Sequence, residues 1–146
     1  MACNVYTTIK RPGVSKKHIS TVVLGVLTCF HDAGVDVSVH CIGETRMRTL
    51  NRVFRGIDRA TDVLSFPIKE DTPVEDGEDA GDIFLCPPYI RRQARRFSVT
   101  FEEEFDRMLV HGVLHIRGYD HRTKKQAQQM FTLQESIVHH RSHTKR

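Results

Sequence analysis

At 146 residues, with 39% hydrophobic and 27% charged residues, the chain has the size and composition of one domain able to bury a real apolar core. A net charge of +4 and a pI near 9.0 suit an anionic partner such as RNA, although many proteins that bind none share these values. No apolar run is long enough to span a bilayer, and the opening MACNVYTTIKRPG lacks the pattern of a secretory signal, so the expectation is a cytoplasmic protein with no membrane association.

Ala2 to Ile9 reads as a first strand. Ile19, Val22, Val23, Val26, Leu27 and Phe30 then recur at helical spacing and predict a helix from about Ser15 to Asp32, ended by Gly34. Val35 to Ile42 alternates as a half-buried strand does, and Met47, Leu50 and Phe54 set one apolar stripe on a short helix whose other faces carry Arg46, Arg48, Arg52 and Arg55. Thr61 to Ile68 and Ala80 to Cys86 are further strands. The loop between them carries Glu70, Asp71, Glu75, Asp76, Glu78 and Asp79 and is expected to be mobile.

Pro87 and Pro88 suit the opening of a helix with Ile90, Ala94 and Phe97 inward and Arg91, Arg92, Arg95 and Arg96 outside, which with the first arginine group and Arg59 makes two basic faces. Thr100 and Glu103 form a capping box for the next helix, on which Phe101, Phe105, Met108, Leu109, Gly112 and Ile116 trace the core stripe. Thr123 and Gln126 repeat that signature for a last helix, with Ala127, Met130, Phe131, Ile137 and Val138 inward. We therefore expect a single α+β domain over residues 1–138, a small mixed sheet with packed helices. Residues 139–146 form a basic tail whose His139, His140 and His143 are read as a frayed end. Cys3, Cys29, Cys41 and Cys86 are far apart and read as buried thiols, with neither a disulfide frame nor a Cys metal site.

The chemistry sits in His111-Gly-Val-Leu-His115-Ile-Arg-Gly-Tyr-Asp-His121. Two histidines four apart share a helical face, with Cβ atoms about 6 Å apart, and a left-handed turn at Gly118 can swing His121 towards the same point. Three imidazoles around zinc leave one position open, the catalytic pattern, though imidazole also suits other divalent transition metals. The spacing parallels H-E-x-x-H-x-x-G-x-x-H of zinc peptidases, but Gly112 stands where those enzymes carry their glutamate base. Glu104 lies seven residues back, about 10 Å along the helix axis, too far to serve. Asp120 is the nearest candidate for proton handling, more readily an orienter of an imidazole. A phosphodiester then suits the site better than an amide, because its transition state asks mainly for stabilised charge. Arg55, before Gly56 at a helix end, is the candidate to supply it.

The stretch VHGVLHIRGYDH resembles the H-G-x-L-H-x-x-G-Y-D-H signature of the YbeY family of metal-dependent endoribonucleases. LNRVFRGIDRATDVLSFP and GDIFLCPPYIRRQA resemble two further blocks of that family, and the likeness runs from about Val35 to Val138. The resemblance implies a zincin-like α+β fold, one zinc held by His111, His115 and His121, and an essential arginine at Arg55. It also implies single-strand-specific RNA cleavage, maturation of the 3′ end of 16S ribosomal RNA, ribosome quality control, and the small ribosomal subunit as partner. Arg59-Ala60 and Arg117 depart from the pattern, and Asp62 and Ser65 fall in a matching block where turn and packing roles suffice. Two alternatives stand beside this reading: a zinc-dependent peptidase, and a non-catalytic ribosome-binding zinc protein.

Overall fold

The computed structural model describes residues 3–32, 34–69 and 74–144, with side chains through Arg141. In chain order its elements are β1 (Cys3–Thr7), α1 (Lys16–Cys29), β2 (Asp36–Cys41), α2 (Glu44–Arg55), β3 (Val63–Pro67), β4 (Asp79–Leu85), α3 (Pro87–Arg96), α4 (Phe101–Ile116) and α5 (Lys124–Thr144). The strands form one mixed sheet in the order β1-β2-β4-β3. β1, β2 and β4 run parallel, and β3 lies antiparallel at the edge. This is an α+β domain.

Alternation explains which face is covered. Val37, Val39 and Cys41 are buried while Asp36, Ser38 and His40 between them are not, as period-two geometry requires of a strand with one inner face. They pair in register with Gly81, Ile83 and Leu85, and on this surface the buried faces of α1 and α4 form the main core with Val22, Val26, Phe105, Leu109 and Val113. A smaller core lies elsewhere, where Met47 of α2 meets Ile42, Leu64 and Cys86. α4 is the central element, touching α1, α3, α5, β3 and β4.

Both capping residues act, and the second box is reciprocal. The Thr100 hydroxyl accepts the Glu103 N–H at 3.1 Å to start α4. The Thr123 hydroxyl accepts the Gln126 N–H at 3.1 Å, and the Gln126 side chain accepts the Thr123 N–H at 3.2 Å in return.

Several boundaries and burials differ from the sequence reading. α1 stops at Cys29 because the Phe30 and Asp32 N–H groups both fold back onto Leu27 O, and His31 makes the left-handed turn (φ 59°) expected of Gly34. Phe54, Phe97 and Phe131 are 62%, 59% and 58% exposed. Phe131 follows Met130, which is buried, and on α5 the inward stripe runs through Met130, Gln134 and Val138 at i, i+4 spacing, leaving Phe131 on its exposed flank. Phe97 is the C-cap residue of α3, where the chain leaves the helix, and Phe54 packs on Phe66 at 5.0 Å between ring centroids. α5 continues to Thr144, well into the stretch read as a tail. Of the acidic loop, Glu70 and Asp71 lie outside the described residues. Its described part, from Val74 on, is held by Gly77 N–H to Gly34 O at 2.8 Å and by the Lys69–Glu78 ion pair at 2.8 Å. Among the described residues no helix is long and apolar enough to cross a membrane.

The cysteines divide unevenly. Cys3, Cys41 and Cys86 are buried, but Cys29 at the end of α1 is exposed. Burial pushes the Cys41 and Cys86 thiols up to about 11, so neither offers thiolate near neutrality. Titration of the folded protein with a disulfide reagent at pH 8 should therefore show one fast thiol, Cys29, and release of the other three only on denaturation. Rapid reaction of Cys41 or Cys86 in the folded chain would contradict this packing.

Candidate metal and RNA-cleavage site

The site begins with a close approach of α4 to the sheet. A Cβ added at Gly112 would meet Ile83 Cγ2 at 2.8 Å and Ser65 Oγ at 3.3 Å, so the helix backbone lies directly on these side chains of β4 and β3 with none of its own between. Ser65 Oγ spans the same contact, donating to Gly112 O at 3.4 Å. With Gly112 turned inward, His111 and His115 fall at the rim of the helix beside the edge strand. α4 ends at Ile116 and Gly118 takes a left-handed φ of 98°, which returns the chain and brings in His121. The His121 ring lies 6.0 Å from that of His111 and 5.9 Å from that of His115. All three line one cavity of about 150 Å³, with Arg55, Val63, Leu64 and Ser65.

Hydrogen bonds decide which nitrogens face this cavity. His115 Nδ1 lies 2.9 Å from Tyr119 O, and a carbonyl only accepts, so Nδ1 carries the proton and Nε2 keeps its lone pair. His111 Nδ1 lies 2.8 Å from Gln134 Oε1. The amide orientation is fixed from behind, because Gln134 Nε2 donates to Glu135 at 3.1 Å and a carboxylate only accepts. His111 is therefore also an Nδ1–H tautomer with Nε2 free. Burial lowers the His111 pKa, the bond to Gln134 pulling the other way, which favours the neutral ligand form. Two oriented imidazoles with a third beside them are a donor set that fits a divalent transition metal.

Gln134 stands at the end of a buried polar chain. Arg107 donates to Glu135 at 2.9 Å and to Glu104 at 2.8 Å, and Gln93 donates to Glu104 at 2.6 Å and to Asp62 at 3.0 Å. Glu104 is thus consumed by Arg107 and Gln93, consistent with its distance from the histidines. Asp62 also accepts the Val63 N–H at 2.7 Å, the strand-start turn expected of it. Gln134 was missed by the sequence reading. Its signal was faint: a polar residue on the inward side of the last helix, buried to 5% exposure.

Asp120 holds no imidazole. It accepts the His121 N–H at 2.7 Å and pairs with Arg122 at 2.8 Å, and that backbone bond above all keeps its carboxyl below the ordinary range. The orienting role expected of it falls to Tyr119 O and Gln134 instead. Arg117 turns away from the site, pairing with Asp32 at 2.6 Å and lying 5.2 Å over the Phe30 ring.

A second group able to hold a metal is tighter than the three imidazoles. His18, Glu102 and Asp106 bring one ligand atom each within 4.8 Å of one another. His18 and Asp106 already satisfy each other at 2.7 Å, tying α1 to α4. Asp106 lies five residues before His111, about 140° around the helix, so this group faces away from the histidine cavity.

Arg55 closes α2, whose turn into the next segment uses Gly56 at φ 72°. It lines both the imidazole cavity and an adjoining groove of about 490 Å³ that also holds Arg59 and Arg92. The Arg92–Glu44 pair at 2.9 Å joins α3 to α2, so the two basic stretches meet at one groove rather than forming separate faces.

A small α+β domain whose oriented imidazoles open into an arginine-lined groove defines a class of protein suited to a polyanionic chain. A family profile described as Endoribonuclease YbeY matches residues 5–142. The chain is 38% identical over 125 residues to an Endoribonuclease YbeY of Persephonella marina, covering 85% of this chain and 82% of that one. It is 42% identical over 106 residues to that of Thermotoga maritima, covering 71% and 66%. A solution structure of a Thermotoga maritima protein superposes with a TM-score of 0.64 at 31% identity, covering 93% of this chain and 86% of that one. The chain belongs to the YbeY endoribonuclease family.

Two outcomes follow from this geometry. Replacing Gln134→Leu removes the acceptor that fixes the His111 tautomer and should weaken zinc binding by about 10- to 100-fold, read by competition with a chromogenic chelator. An unchanged affinity would remove Gln134 from the site. Gly112→Ala gains up to about 1 kcal/mol of helix propensity but crowds Ile83 at a cost of about 1–3 kcal/mol, so urea unfolding should show net destabilisation.

Proposed function

We propose that the chain is a single-strand-specific, metal-dependent endoribonuclease acting in the cytoplasm on 16S ribosomal RNA 3′-end maturation and in ribosome quality control. His111, His115 and His121 hold one zinc ion, and Arg55, His111 and His115 form the catalytic set. The observation that carries this reading is the pair of fixed Nε2 lone pairs in a cavity that Arg55 also lines. The ribosomal assignment, with the small subunit as partner, is supported by the family resemblance alone.

When bound, the ion supplies Lewis-acid activation at the scissile phosphate. The chain supplies the rest. Gln134 and Tyr119 O orient the two helix-borne imidazoles, and Arg55 places a guanidinium where phosphoryl charge develops. Arg59 extends the positive surface along the RNA backbone, while Arg92 is held by Glu44 at the groove's far side. A peptidase would need a glutamate after His111, and Ile83 leaves no space for one.

Metal content and cleavage of a single-stranded RNA measured on one preparation, before and after chelation, test the reading together with variants. Activity should disappear with the metal and return on adding zinc. His115→Ala should abolish cleavage, and Arg55→Ala should lower kcat by about 100- to 1000-fold with the melting temperature unchanged. Full activity in the chelated protein would reject the metal, and retained activity in both variants would reject the site. Cells carrying only the His115→Ala chain should accumulate small-subunit RNA with an unprocessed 3′ end.

A further inference from the structure

β3 is an edge strand, and on an antiparallel edge strand alternate residues turn their backbone N–H and C=O groups away from the sheet. The register identifies them. Cys86 N–H bonds to Asp62 O at 3.0 Å and Ile68 N–H to Ala80 O at 3.0 Å, so the even-numbered residues face β4 and Val63, Ser65 and Pro67 face outward. Pro67 has no N–H. The Val63 N–H is taken by Asp62 Oδ1 at 2.7 Å. Among the described residues, Ser65 is thus the one residue of β3 that presents both a donor and an acceptor on the open edge.

Its position gives that pair meaning. Ser65 lines the imidazole cavity and also a second cavity of about 460 Å³ that runs on past His115, with Phe66, Tyr119, Lys69 and Arg122 around it. An added peptide strand needs donor and acceptor pairs repeated along the edge, and β3 offers a single one. A nucleobase needs only one such pair and an aromatic wall. On the other side of Arg55 the groove has a different character, with Arg59 suited to phosphates.

We infer that the cavity beyond His115 is a nucleobase subsite, in which Ser65 N–H and C=O bond the edge of the base flanking the cleaved bond and Tyr119 packs its ring. Base contacts on one side of the cut and backbone contacts on the other set a sequence context for cleavage. This inference rests on the RNA-cleavage reading above.

The test sets three RNAs against two proteins: a single-stranded oligonucleotide, intact or with one abasic nucleotide placed in turn on each side of the cut, against wild type and Ser65→Pro. Proline at an outward edge position removes the N–H without breaking a ladder bond, and its melting temperature reports whether the fold is kept. With wild type, the abasic residue on one side of the cut should lower kcat/KM about tenfold or more, and on the other side should change it little. Ser65→Pro should lower kcat/KM on intact RNA similarly and lose most of the difference between intact and abasic substrate. Equal cleavage of intact and abasic RNAs by wild type overturns the subsite whether or not Ser65→Pro folds. Binding or cleavage of an extended peptide in place of a base preference would assign the edge to protein instead. Absence of cleavage of the intact RNA by metal-loaded wild type would be a failure of the RNA reading itself.

Discussion

The contact between α4 and the sheet at Gly112 is the constraint on which the site depends. Helix and strand meet there with only a hydrogen atom on the helix side, so Ile83 and Ser65 sit directly against the backbone. One residue earlier and three later, His111 and His115 are carried to the rim of the interface, next to the edge strand and facing α2's arginine end. A side chain at position 112 would push α4 off the sheet. The same packing leaves no space for the glutamate base of a peptidase.

Orientation of the imidazoles is a separate matter, settled by polar groups rather than by packing. Each helix-borne histidine spends Nδ1 on an acceptor that cannot act as a donor, which leaves Nε2 as the free atom in both. For His115 the acceptor is local, a carbonyl made available where α4 ends. For His111 it is remote: Gln134 on α5 is held by Glu135, Glu135 by Arg107, Arg107 by Glu104, and Glu104 by Gln93, which also reaches Asp62. Such a chain is rigid only while every member is satisfied, because an unpaired buried polar group is costly. It connects α3, α4, α5 and the start of β3 behind one imidazole, so the histidine face and the fold share their stability.

Charge is distributed with similar economy. Of the cations along α2 and α3, Arg48 and Arg92 are tied to Asp58 and Glu44, which fixes the helices relative to one another and to the following loop. Arg55 and Arg59 line the groove next to the imidazoles. A modest net charge therefore becomes a local field at the place where an RNA backbone would lie, which composition could not reveal.

Much was legible in the chain itself, for local reasons. The helix caps at Thr100 and Thr123, the strand alternation of β2, the helix-ending turn at Gly118 and the i, i+4 histidines all depend on residues within a few positions of one another, so spacing alone specifies them. The order of strands, the choice among apolar neighbours such as Met130 and Phe131, and the reason for glycine at 112 depend on what arrives from elsewhere in the chain. So do Gln134 behind His111, the capture of Asp120 by its own turn, and the meeting of two basic stretches at Arg55. Short-range geometry is written in sequence periodicity, whereas partners separated by tens of residues are set only when burial and hydrogen-bond satisfaction are solved for the whole fold at once.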